Sequence, residues 1–124
     1  MNYAQQIFNE SSVFQKIKLL RKHSDSILEN QNSVRIQNLP KRDAQILETK
    51  FHPPKKGFST AEGQARMLHD LASIELQAME LGLRTLSEFS NAPEQFKIEL
   101  LRITLSEADH LEMCLQEIDR LGFQ

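Results

Sequence analysis

Residues 86–96, LSEFSNAPEQF, hold the break in a helical pattern that otherwise runs from residue 59 to residue 121. Ser90-Asn91-Ala92-Pro93 reads as a short turn. Proline is placed to open the next helix, where its fixed φ fits and its missing N–H costs nothing. Upstream, Ser59-Thr60-Ala61-Glu62 carries a capping-box pattern and starts a helix that runs to about Phe89. Downstream, the second helix runs from about Pro93 to Leu121, and Gly122 ends it. At a rise of 1.5 Å per residue, each helix is roughly 45 Å long. Two such helices joined by so short a turn predict an antiparallel hairpin, and the fold class is all-α.

In steps of four and three, the first helix presents Ala61, Ala65, Leu68, Ala72, Glu75, Met79, Gly82, Leu86 and Phe89. Every member is small or apolar except Glu75. The second helix presents Phe96, Leu100, Ile103, Glu107, His110 and Cys114, where Glu107 and His110 are the exceptions. A parallel apolar row widens each stripe: Leu71, Ile74, Ala78 and Leu81 in the first, Leu101, Leu105, Ala108, Leu115 and Ile118 in the second. Such wide faces belong to bundle helices that bury much of their circumference.

The polar exceptions fall at one height. From the middle of the turn, between Asn91 and Ala92, Glu75 lies 16.5 residues back, Glu107 15.5 forward and His110 18.5 forward. In an antiparallel pair, Glu75 therefore sits level with the gap between Glu107 and His110. A buried carboxylate without a partner costs several kcal/mol. Two arrangements supply one: a cluster in which a protonated His110 lies between two glutamates, or a metal ion that accepts carboxylate oxygens and an imidazole nitrogen together. Glu-x-x-His alone recurs by chance. The matched Glu75 favours the metal, with a polar cluster or a site that has lost its metal as the alternatives. Di-iron carboxylate bundles use one Glu from each of two helices and one Glu-x-x-His from each of two others, so this hairpin holds half of that set.

The wording of the chain is also familiar. PPKKGFSTAEGQARMLHDLASIELQAMELGLRTLSEF, followed by ITLSEADHLEMCLQEIDRLGF, resembles the ferritin-like family catalogued as domain of unknown function 455, from about Pro40 to Phe123. The resemblance implies a four-helix ferritin-like bundle with a two-metal carboxylate site. In it, Glu75 corresponds to the first-helix ligand, and Glu107 with His110 to the second-helix ligands. The family continues after the LGF position with a second helix pair carrying another Glu and another Glu-x-x-His, whereas this sequence ends at Gln124. Either the chain is a piece of a longer protein or a second copy completes the bundle.

Two units are expected: residues 1–58, an N-terminal helix with an irregular arm, and residues 59–124, the hairpin. Val13, Ile17, Leu20, Ser24 and Ile27 recur at helical spacing, which predicts a helix over roughly 12–29. Residues 30–58, with Asn30, Asn32, Pro40, Pro53-Pro54 and Gly57, read as the arm. The N-terminal segment covers part of the wide apolar faces but lacks a matching Glu-x-x-His. A homodimer through the hairpin face would supply one, bringing four glutamates and two histidines together.

The remaining residues carry weaker signals. His69 and Cys114 lie equally far from the turn and are candidates for positions flanking the site, although a packing role is the simpler expectation for both. Glu80, Glu99 and Asp109 are expected on outward faces, and Asp70 on the polar side of the first helix. His23 and His52 lack ligand-type neighbours. A net charge of −2 gives no case for nucleic acid or an anionic membrane, and Lys55-Lys56 is read as a solvated loop. No apolar run reaches the ~20 residues of a membrane span, and the MNYAQQIFNE start has no secretory pattern. A single cysteine rules out an internal disulfide and points to the cytoplasm. The expected function is metal binding with iron or manganese. If the protein is an enzyme, it is a di-iron oxidoreductase of oxidase, hydroxylase or iron-handling type. The alternative is a non-enzymatic helical interaction module with a vestigial site.

Overall fold

The computed structural model describes residues 2–29, 32–43 and 59–122. Among the described residues five helices follow in order: α1 Tyr3–Phe8, α2 Val13–Lys22, α3 Ser24–Glu29, α4 Ala61–Glu88 and α5 Glu94–Arg120. The helices α4 and α5 form the antiparallel hairpin that the turn predicts, and the fold is all-α. Thr60 caps α4, its hydroxyl accepting from Gly63 N at 3.0 Å. Pro93 stands at the N-cap of α5, one residue outside the helix. Gly122 follows α5 with φ of 84°, a left-handed conformation in which a side chain would be strained.

The helices of the hairpin approach closely at Gly82. A Cβ on Gly82 would lie 2.2 Å from Thr104 Oγ1 and 3.1 Å from Thr104 Cβ. Glycine in mid-helix costs about 1 kcal/mol relative to alanine, and here it admits a neighbouring helix. The Thr104 hydroxyl turns back to donate to Leu100 O at 2.8 Å, which satisfies it inside the packed interface.

The stretch expected as one helix over roughly 12–29 is two, α2 and α3. The pattern from Val13 to Ile27 breaks at His23, which leaves the helical conformation and stacks on Tyr3 with ring centroids 4.6 Å apart. α1, formed from a stretch with no assigned structure, buries Ala4, Ile7 and Phe8. These side chains join Ile17, Leu20, Ile27, Leu76, Met79, Leu83, Leu111 and Ile118 in one core. The N-terminal helices and the hairpin share this core. The described part of the arm, residues 32–43, has no helix or strand. It is tied to the end of α4: Val34 N donates to Ser87 O at 2.8 Å, Ser87 Oγ donates to Val34 O at 2.7 Å, and Ile36 is buried. Residues 44–58, including His52 and Lys55-Lys56, lie outside the described residues.

The N-terminal helices cover one side of the hairpin. On the other side Leu71, Ile74 and Leu81 of α4, Phe89 just after it, and Phe96 and Ile103 of α5 are exposed, Ile74 and Leu81 by 61% and 65%. Most of the predicted wide faces is thus core, and the rest is an open apolar surface. Among the described residues no helix is long and apolar enough to cross a membrane.

Candidate metal centre

Three side chains meet at the edge of the open face. Glu75 projects from α4, between the buried row Ala72–Leu76–Met79 and the exposed Ile74. Glu107 and His110 project from α5 one turn apart, with buried Ala108 and Leu111 beside them. The equal distances to the turn bring them level. One ligand atom from each lies within 4.8 Å of the others. His110 Nδ1 is 3.7 Å from Glu75 Oε2 and 4.0 Å from Glu107 Oε2. The burial is graded: the side chains of Glu75, Glu107 and His110 are 14%, 26% and 55% exposed.

Glu75 Oε2 is buried and has no hydrogen-bond partner. A carboxylate oxygen in that position is costly unless something positive reaches it. Both imidazole–carboxylate distances exceed the hydrogen-bond range, so His110 does not supply that partner as a donor. From Leu71 to Leu81 and from Ile103 to Met113 the helices carry no lysine or arginine. Two donors bonded to one metal at about 2.1 Å lie at most about 4.2 Å apart, so the two imidazole–carboxylate separations are within reach of a shared ion. Two carboxylates and one imidazole also match the donor preference of iron and manganese.

Cys114 sits one turn beyond His110 and is buried, as the stripe predicted. Burial pushes its thiol above the ordinary cysteine range, and the nearby charge of Glu75 pushes it further. His69 is exposed on α4 and does not join the three-residue group. Glu99 and Asp109 are exposed, as expected; Asp109 pairs with Arg21 of α2 at 2.7 Å. Asp70 is half-buried beside Arg66 at 3.5 Å.

Glu80 corrects the sequence expectation. It does not face solvent: its side chain is 3% exposed and meets Lys16 Nζ at 2.6 Å. Arg42 from the arm also grips both its oxygens. Lys16 is fully buried, donates to Phe8 O at 3.0 Å, and lies over the Phe8 ring. Lys97 is a second buried lysine, held by Leu28 O at 2.9 Å and Ser90 O at 2.7 Å. Glu80 lies in the row Leu76–Leu83–Ser87, which faces the N-terminal helices. Its spacing of four from Leu76 and three from Leu83 was the available signal. The row through Ile74 and Leu81 is more apolar and masked it.

No solved structure matches the chain. A protein of Haemophilus influenzae described as uncharacterized is 36% identical over 78 residues, which cover 57% of this chain and 27% of that protein. The chain thus spans about a quarter of the length of that curated relative. A family model covers nearly the whole sequence, far beyond the hairpin alone. By that match, over residues 5–124, the chain belongs to the family described as Protein of unknown function (DUF455).

Proposed function

We propose that this protein is a ferritin-like carboxylate metal-binding protein in which Glu75, Glu107 and His110 hold iron or manganese. The observation that carries this is the buried, unpartnered Oε2 of Glu75, aimed at a glutamate and an imidazole nitrogen. A polar cluster without metal would close up into hydrogen bonds. The separations of 3.7 and 4.0 Å are too long for hydrogen bonds and short enough for a shared ion. Glu75 is held by the packed face of α4, and Glu107 and His110 by one turn of α5, so the donors are fixed by helices rather than loops. Bound iron would supply redox chemistry of the oxidase, hydroxylase or iron-handling kind. The chain's own contribution is to fix the donors, to shield Glu75, and to leave the imidazole side open for further ligands.

Elemental analysis after purification without chelator tests this. The wild-type chain and Glu99→Ala are expected to retain iron or manganese, and Glu107→Ala to lose it. Equal uptake by both variants would show the binding to be adventitious.

A further inference from the structure

The helix α2 lies behind the site and is bonded to both helices that carry it. It packs on α5, while α1 packs on α4. Lys16 is its ionic tie to α4, with Nζ at 2.6 Å from Glu80 Oε2. Arg21 is its tie to α5. Arg21 Nη2 donates to Asp109 Oδ1 at 2.7 Å and to Glu112 Oε1 at 3.1 Å, and Nη1 donates to Glu112 Oε2 at 2.9 Å. Asp109 and Glu112 bracket His110 along α5, so this fork grips the helix at the height of the donors. It grips the far side. At about 100° per residue, the two carboxylates are centred roughly 160° around α5 from Glu107 and His110, and Glu80 is about 140° around α4 from Glu75.

Turning either helix about its axis moves its anchor and its donors together. A turn of about 20° carries a donor about 6 Å from the axis through roughly 2 Å, the length of a metal–donor bond. Burial of apolar surface has no direction of its own, whereas a forked arginine and an enclosed ion pair hold atoms at set distances and angles. Resting on the metal reading above, we infer that α2 braces the metal centre. Lys16 and Arg21 are positioning residues that fix the rotation of α4 and α5 and so keep Glu75, Glu107 and His110 within reach of one ion. The sign of the effect separates bracing from charge. As charges, both residues repel a cation, and removing either would tighten metal binding. As braces they order the donors, and removing either weakens it.

The test is a Mn²⁺ titration of the 124-residue chain, with the free ion read by electron paramagnetic resonance and the fold by circular dichroism in chelator. Arg21→Ala and Lys16→Met are expected to weaken Mn²⁺ binding by about tenfold or more, the usual loss when a group that orients a metal ligand is removed. Arg21→Ala should keep the helical spectrum of the wild type, because an exposed pair stabilises a fold little. Arg21→Lys keeps the charge with fewer bonds and should recover part of the loss. Lys18→Ala takes the same charge from an exposed position of α2 and should bind as tightly as the wild type or more tightly. Affinity unchanged or raised in Arg21→Ala or Lys16→Met, or lowered as much in Lys18→Ala, would overturn the brace and leave the metal site standing. No Mn²⁺ bound by the wild-type chain would overturn the metal reading itself.

Discussion

Lys16 Nζ and Glu80 Oε2 lie 2.6 Å apart in side chains that are 0% and 3% exposed, so a full ion pair is enclosed between α2 and α4. Burial pulls the lysine below its ordinary pKa, against the opposing pull of Glu80. Removing one partner of a buried pair strands the other. Glu80→Ala, which strands Lys16 and frees Arg42, is therefore expected to cost about 3–5 kcal/mol. Lys16→Met leaves Glu80 with Arg42, takes a buried cation away, and should cost less. Urea unfolding of both variants checks the order; a loss below about 1 kcal/mol for Glu80→Ala would mean that the pair is not enclosed.

Gly82→Ala sets two effects against each other. Alanine favours the helix by about 1 kcal/mol. The new Cβ would meet Thr104 Oγ1 at 2.2 Å and force α4 from α5. Overpacking of this kind costs about 1–3 kcal/mol, and the clash involves Thr104 Cβ as well as its hydroxyl, so net destabilisation is expected. Adding Thr104→Ala, which removes the hydroxyl and methyl, should restore part of the loss in thermal unfolding.

Cys114 is predicted to be inert while the chain is folded. Its thiol is buried and its pKa raised, first by burial and then by Glu75. Near pH 8.5 iodoacetamide should label it slowly in buffer and rapidly in urea. Stability from this group is present below the unfolded cysteine value and is lost as pH rises from there through the raised folded value. Rapid labelling of the folded chain would contradict the packing.

The hairpin was legible because two physical signals coincide at residues 90–93: helical periodicity stops, and proline reopens it. The level of Glu75, Glu107 and His110 was legible because helical rise is constant, so counting from the turn is counting distance. Face was harder than height. Periodicity marks apolar rows without saying which neighbour each one meets. The row through Leu71, Ile74 and Leu81 looks buried in sequence but is exposed, and the less apolar row through Leu76, Leu83 and Ser87 is the one that the N-terminal helices cover. For the same reason Glu80 looks solvated in sequence, since its partners, Lys16 and Arg42, are 64 and 38 residues away. His69 matched Cys114 in height but not in direction.

Three donors, the buried oxygen of Glu75 among them, form the central claim, and the nitrogen of His110 is the donor most easily identified. Pulsed electron paramagnetic resonance of the Mn²⁺-loaded chain reads that bond directly. The spectrum is expected to show ¹⁴N modulation from a coordinated imidazole, absent from residual Mn²⁺ bound by His110→Ala and retained in His69→Ala. Mn²⁺ bound without nitrogen modulation, or modulation that survives His110→Ala, would contradict the site.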